Sequence, residues 1–228
     1  MTLSSLVIFD FDDTIVNNDK LDYMGFKIPC TILNLNFPSK KKLQTYRIKG
    51  KSAKEIIIEI NGHTKKLDKF LKIRNAYLIH ESINYLYLKS YSKLLFNKLN
   101  KFNFDLIICS ANSNPIIIKK FLKKNNIEYL FKDIVTMNDL NKHIDNSTYS
   151  NRILIKTKLL NLIHKKYDLS KNNFIFIGNS LEDYNASIKS KIKFIYLLNT
   201  YLPIPKLKNL TKVSKMNQIF DIIHEKIN

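Results

Sequence analysis

Two carboxylates stand two residues apart in Asp10-Phe11-Asp12-Asp13-Thr14, directly after the apolar run Leu6-Val7-Ile8-Phe9. Such a run reads as a strand buried on both faces. Side chains two residues apart on an extended segment point the same way, so Asp10 and Asp12 can face one small ligand. They sit at the carboxyl end of the strand, where open α/β sheets bind their ligands. Neighbouring carboxylates repel, and the pair calls for a shared proton or a cation. Mg²⁺ suits it, because that ion prefers hard oxygen ligands and keeps company with phosphate. The same residue types also make plain turns. The rest of the chain has to decide between the two.

Three further segments bear on the choice. The run Ile107-Ile108-Cys109-Ser110 ends in a hydroxyl and is followed by Ala111-Asn112. A hydroxyl at a strand end, before a helix N-terminus, suits an anion. Alone, Ser110 would merely tend the following helix. Next comes Ile153-Leu154-Ile155-Lys156-Thr157-Lys158-Leu159-Leu160. A lysine opening a helix beside the sheet edge could neutralise a phosphate or a carboxylate. Lys156 is preferred to Lys158, because Leu159, Leu160 and Ile163 then form the inner face of its helix. Last is Phe174-Ile175-Phe176-Ile177-Gly178-Asn179-Ser180-Leu181-Glu182-Asp183. A buried strand, a Gly turn and acidic groups open another helix. Ser180 and Asp183 also read as a capping box, Ser-x-x-Asp. One turn can cap a helix and hold a metal.

The elements that must position these residues alternate. Strands are expected at 6–9, 106–109, 174–177 and 194–198, with a short one at Ile134-Val135. Helices are expected at 115–124, 154–166, 183–189 and 216–227. Asn114-Pro115 is a helix start, with Asn at the cap and Pro at the first helical position. Strand-helix alternation implies an α/β fold with a parallel, doubly wound sheet. Residues 17–103 show no strand alternation. Ser52-Ala53-Lys54-Glu55 is a capping box opening a helix over Ile56, Ile57, Ile58 and Ile60. From Lys66 to Lys101 apolar residues recur at helical spacing, with a break at Ser90-Tyr91-Ser92. The stretch 17–103 reads as a helical insertion between core segments 1–16 and 104–228.

The 228 residues suffice for one large domain, or a core plus an insertion. A hydrophobic content of 45% is that of a folded protein. Two cysteines, Cys30 and Cys109, give no disulfide framework, and a cytoplasmic setting is expected. No secretory signal and no membrane-spanning run is read. The formal charge of +19 invites a nucleic-acid reading. Yet Arg47, Arg74 and Arg152 are the only arginines, and lysine is spread over the whole chain. Arginine is the residue suited to bidentate readout. No dedicated nucleic-acid surface and no membrane partner is expected; a positive field would still draw in small anions. The histidines, His63, His80, His143, His164 and His224, show no metal-ligand spacing.

Order, spacing and strand context of the four segments resemble the haloacid dehalogenase superfamily of phosphohydrolases over nearly the whole chain. The insertion resembles the C1-type cap of phosphoglycolate-phosphatase-like members. Arg47-Ile48-Lys49-Gly50-Lys51-Ser52 resembles the cap loop that faces their active site. The resemblance implies a Rossmann-like core and a Mg²⁺-dependent phosphomonoesterase acting on a small phosphorylated metabolite. It implies Asp10 as nucleophile and Asp12 as general acid and base, with Asp12 also facing the metal. Ser110, Ala111 and Lys156 would bind the phosphoryl group. Asp10, Asp12, Asn179 and Asp183 would hold Mg²⁺, and Lys49, Gly50, Lys51 and Ser52 would border the substrate. Two positions depart from the pattern. Asn179 stands where the family most often has Asp, so one negative charge is missing. Ala53 stands where related β-phosphoglucomutases carry a phosphate-gripping Arg, which argues for hydrolysis. The alternatives are a weakened phosphate-ligand or protein-binding module, and phosphonatase or phosphotransferase chemistry using Lys51 or Lys54.

Overall fold

A computed structural model describes residues 5–111, 115–140, 151–198 and 210–227. The chain divides into two units, Met1–Asn17 with Tyr87–Asn228, and Asn18–Leu86. The first unit begins with β1 (Leu6–Phe9) and β2 (Val16–Asn17). The second consists of α1 (Asp19–Leu33), α2 (Lys40–Ile48), α3 (Ala53–Asn61) and α4 (Leu67–Tyr85). The chain then returns to the first unit with β3 (Tyr87–Leu88), α5 (Ser92–Lys101), β4 (Asp105–Ser110), α6 (Pro115–Lys124) and β5 (Asp133–Thr136). There follow α7 (Arg152–Tyr167), β6 (Phe174–Gly178), α8 (Leu181–Ser190), β7 (Lys193–Leu197), β8 (Lys212–Val213) and α9 (Gln218–Ile227).

The first unit is built on a six-stranded sheet in the order β5-β4-β1-β6-β7-β8, with every pairing parallel. This is the doubly wound α/β architecture that the alternation implied. β1 is central: Leu6 pairs with Asp105 and Phe174, and Phe9 with Ile108 and Ile177. All four of its side chains are fully buried, as an uninterrupted apolar run demands. Successive residues serve opposite faces. Leu6 and Ile8 join one apolar layer with Ile155, Leu159, Leu160 and Ile163 of α7 and Ala186 of α8. Phe9 faces the other way and meets Phe96 of α5 edge-on, with ring centroids 5.1 Å apart. The registers bring the carboxyl ends of β1, β4 and β6 to one edge.

The expected helical insertion over 17–103 is longer than the second unit. Residues 87–103 belong to the sheet unit, because Phe96 and Leu99 of α5 are buried and α5 packs on β4. The antiparallel pair β2-β3 was not anticipated, since two residues per strand carry no readable alternation. The break before α5 is real: Tyr91 takes φ 66°, a left-handed conformation. α6 begins at Pro115 as expected, while its expected cap Asn114, like Asn112, lies outside the described residues. Cys109 is buried in the apolar layer, and Cys30 in the core of the helical unit. No helix among the described residues is long and apolar enough to cross a membrane.

The helical unit packs its own core from Phe26, Cys30, Leu43, Ile56, Ile57 and Phe70. A Cβ on Gly25 would sit 2.9 Å from Leu78, so the missing side chain lets α1 approach α4. Ser52 and Glu55 form the expected capping box at the start of α3. One ionic knot crosses this unit. Asp22 accepts from Arg47 at 2.8 and 2.7 Å and from Arg74 at 2.7 Å. Both guanidiniums also lie over the Phe26 ring. Burial alone would raise the Asp22 carboxyl, but the two arginines outweigh it and hold it well below the usual range. A pKa that falls on folding stabilises the protein above the ordinary Asp range, and the benefit fades only in strong acid. Asp22→Asn leaves two partly buried guanidiniums without their anion. It is expected to destabilise the helical unit by about 3 kcal/mol at neutral pH, read as a lower urea midpoint. A shift below ~0.5 kcal/mol would mean that the knot contributes nothing.

Candidate active site

Everything at the sheet edge starts from the exit of β1. The Asp10 amide still donates to the Ile177 carbonyl at 2.9 Å, so this residue continues the sheet direction. The chain then folds back, with the amides of Thr14 and Ile15 donating to the Phe11 carbonyl. Asp13 takes φ 56° in that turn, a conformation that Asp tolerates better than most residues. Its carbonyl accepts from Lys89 Nζ. The turn leaves Asp10 buried and Asp12 partly exposed. Thr14 is buried, and its hydroxyl lies 3.0 Å from Asn179 Oδ1 and 3.5 Å from Asp10 Oδ2. The shorter contact is the better hydrogen bond.

α7 brings the cation. Asn151 caps it by accepting from the Leu154 amide at 3.1 Å. The helix thus starts two residues earlier than the apolar pattern suggested, and Lys156 sits one turn inside it. Lys156 shares the buried face with Ile155, Leu159, Leu160 and Ile163. Its side chain is only 3% exposed, and its ammonium donates to Asp10 Oδ1 at 2.8 Å and also bonds Asp183 Oδ1. Lys158 lies off that face and is only partly buried. Burial opposes the Lys156 charge, yet Asp10 and Asp183 outweigh it and hold the group above the ordinary lysine range.

The turn after β6 brings the second acid. Asp183 is fully buried. Its Oδ2 accepts from the amides of Asn179 at 3.2 Å and Ser180 at 3.1 Å, and from the Ser180 hydroxyl at 2.6 Å. The Asp183 amide in turn donates to Ser180 Oγ at 3.1 Å, completing the expected capping box. Gly178 is required here: a Cβ on it would lie 2.6 Å from Asp183 Cγ.

Asp10, Lys156, Asn179 and Asp183 therefore meet at one edge of the sheet. Ser110 ends β4 in the strand next to β1, buried and paired with Thr136 of β5. Ala111 follows and packs against the apolar layer. Lys49, Gly50, Lys51 and Ser52 lie in the helical unit, in the turn between α2 and α3. Gly50 has φ 72° there, the Lys51 carbonyl accepts from Arg47 Nη1 at 2.8 Å, and Lys51 Nζ pairs with Glu59. Sequence reading did not single out the Thr14 hydroxyl, which links the first and fourth motifs. It also missed Arg152 at the start of α7, whose Nε donates to Glu182 at 2.8 Å. A Glu182 next to Asp183 and an Arg152 four before Lys156 were the available signals.

The electrostatics of the cluster are lopsided. The Asp10 carboxyl is raised to about 7: burial pushes it up most, Lys156 pulls it down, and Asp183 and Asp12 add to the rise. Three carboxylates beside one ammonium leave two negative charges when all are ionised. That surplus matches one divalent cation, and the donors are hard oxygens of the kind Mg²⁺ takes. Among the described residues no three His, Cys, Asp or Glu side chains make a ready metal cluster. The Asn179 amide stands in for one of the acids, and both Asp183 oxygens already accept from the protein. The donor chemistry fits Mg²⁺, and Asp10, Asp12 and Asn179 are the residues that would hold it.

The sequence profile of the haloacid dehalogenase-like hydrolases matches residues 7–197. The chain belongs to this family. Solved structures of similar fold agree. A predicted phosphoglycolate phosphatase from Haemophilus somnus superposes with a TM-score of 0.77 at 18% identity, covering 98% of this chain and 99% of that one. CbbY from Rhodobacter sphaeroides, solved with phosphate, gives 0.76 at 12% identity over 95% of this chain and 96% of its own. A haloacid dehalogenase-like hydrolase from Streptococcus pneumoniae gives 0.74 at 15% identity over 98% of this chain and all of its own. No curated relative matches by sequence.

The raised Asp10 carboxyl of this hydrolase has a consequence for stability. Between about pH 4, where Asp titrates in an unfolded chain, and about pH 7, the metal-free folded protein binds the proton more tightly than the unfolded chain. Stability therefore falls as pH rises through that window. Asp10→Asn keeps the neutral form at every pH, and Lys156 keeps Asp183. Near pH 8 without metal the variant is expected to be more stable than wild type by about 2 kcal/mol, with the gain gone near pH 4. Urea unfolding at the two pH values measures it. A gain independent of pH would contradict the assignment.

Proposed function

We propose that the chain is a Mg²⁺-dependent phosphomonoester hydrolase working through an aspartyl-phosphate on Asp10. The observation that carries this reading is the buried Lys156 ammonium, bonded to both Asp10 and Asp183 at the carboxyl edge of the sheet. Phosphoryl transfer needs little covalent help from a protein. It needs positioning, and cancellation of charge on the equatorial oxygens. A lysine already dehydrated and held by two carboxylates meets that need without reorganising.

In this reading one Asp10 oxygen attacks phosphorus; the bond to Asp10 forms as the ester P–O bond breaks. Asp12 gives its proton to the departing alkoxide. In the second half Asp12 takes a proton from water, the water oxygen attacks phosphorus, and inorganic phosphate leaves with the Asp10 carboxylate restored. Ser110 and the backbone at Ala111 donate to the transferring group. Lys156 balances charge on that group and on Asp10. Asp183 acts from behind, fixing Lys156 and the turn that carries Asn179. Mg²⁺, held by Asp10, Asp12 and Asn179, supplies charge neutralisation at the phosphoryl oxygens. The substrate class is a small phosphorylated metabolite of sugar-phosphate or phosphoglycolate type. The likeness to a predicted phosphoglycolate phosphatase supports it.

Phosphate release from a panel of small phosphoesters with Mg²⁺ tests the reading. Wild type is expected to turn over, and Asp10→Asn to lose at least roughly three orders of magnitude. Equal turnover by both proteins would end it. Asn179 is the observation that favours the rival reading, a module that binds phosphate ligands without turnover. If its amide oxygen is a ligand, Asn179→Asp restores a charge. The Mg²⁺ concentration for half-maximal activity should then fall roughly tenfold, or about 1.4 kcal/mol. An unmoved midpoint would remove Asn179 from the metal site.

A further inference from the structure

One cation at the site has no part in the chemistry above. Arg152 stands in the first turn of α7, four residues before Lys156, and i,i+4 residues share a helix face. Its partner Glu182 directly precedes Asp183, the partner of Lys156. The pair Arg152–Glu182 therefore repeats the pair Lys156–Asp183 one turn nearer the helix start. The two differ in exposure. The Lys156 side chain is 3% exposed and Asp183 fully buried, whereas 42% of the Arg152 side chain is open to solvent. Glu182 takes the Nε edge of the guanidinium at 2.8 Å. Among the described residues no hydrogen bond takes up either Nη group. Partial burial opposes the charge on Arg152, but the carboxylates of Glu182, Asp12 and Asp10 outweigh it, and Arg152 acts in turn on Lys156. The guanidinium is thus within electrostatic reach of both motif-one acids, and among the described residues nothing takes up its outer fork.

We infer that Arg152, braced by Glu182, is a specificity-determining residue that binds a second anionic group, a carboxylate or a further phosphate, on the leaving side of the phosphoester. This rests on the phosphohydrolase reading above. Two features set the side. In the proposed mechanism Lys156 serves the transferring group and Asp12 the leaving oxygen, and Arg152 lies one turn nearer the helix start than Lys156, within electrostatic reach of Asp12. A planar fork with two open nitrogens fits a carboxylate or phosphate in two-point contact. A structural ion pair joining α7 to α8 would need no open fork.

The test compares three probes: phosphoglycolate, 2-hydroxyethyl phosphate and ethylene glycol bisphosphate. The first two have almost the same shape and differ by the carboxylate. Wild type should prefer the anionic leaving groups in kcat/KM. Arg152→Gln should lower kcat/KM for them by roughly 10- to 100-fold and change 2-hydroxyethyl phosphate less than about threefold. Arg152→Lys should recover part of the loss, which also excludes a folding defect. A loss confined to the carboxylate or to the bisphosphate names the group. Equal loss on all three probes, or no loss on any, overturns the inference. If wild type hydrolyses none of them, the phosphohydrolase reading fails separately. Calorimetric binding of phosphoglycolate and 2-hydroxyethyl phosphate to wild type and Arg152→Gln then decides. Equal affinities of the two proteins for phosphoglycolate would overturn it.

Discussion

A single buried ammonium holds the site together. Lys156 has left water, which is costly for a charge, and Asp10 and Asp183, which both reach it, offset that cost. The three groups come from three different elements: the exit of β1, the second turn of α7 and the first turn of α8. Each element is then fixed by its own apolar face. β1 is buried on both sides, α7 lays Leu159, Leu160 and Ile163 on the sheet, and Gly178 allows Asp183 to close on the strand before it. Removal of Lys156 or of Asp183 would strand a charge in a low-dielectric environment, so the fold and the site constrain each other.

The same arrangement explains why the site is strained electrostatically. Burial, together with carboxylates that one lysine does not neutralise, makes Asp10 hold its proton more tightly. A cation or an incoming phosphoryl group changes that balance at once. Asp183 is different. It accepts three hydrogen bonds on one oxygen and the lysine on the other, and so behaves as a fixed anchor. Charge held ready but unevenly shared is how sites trade stability for chemistry.

Much of this was legible in the sequence because the decisive signals are local. Leu6–Phe9, Ile107–Cys109 and Phe174–Ile177 are uninterrupted apolar runs, and each leads within two residues to Asp10, Ser110 or Asn179. Ser52–Glu55 and Ser180–Asp183 are capping boxes that form as their spacing requires. What escaped was non-local or too short. Arg152 and Glu182 are 30 residues apart, and Thr14 and Asn179 are 165 apart; no periodicity announces such pairs. The sequence suggests a longer helical unit than the structure has, because α5 is amphipathic like α1 and α3 before it. Only its packing, with Phe96 against Phe9, assigns it to the sheet. The Asp22–Arg47–Arg74 knot is invisible for the same reason, although it uses two of the chain's three arginines.

In the proposed reaction Asp10, held by Lys156, takes the phosphoryl group itself before water does. Each in-line displacement inverts phosphorus, so two in succession return the starting configuration. The direct measurement is the stereochemical course of hydrolysis of a thiophosphate monoester made chiral at phosphorus with two oxygen isotopes, run in water carrying the third isotope so that the inorganic thiophosphate released is itself chiral. The structure's arrangement predicts retention of configuration. Inversion would mean that water attacks phosphorus directly, and would contradict the account.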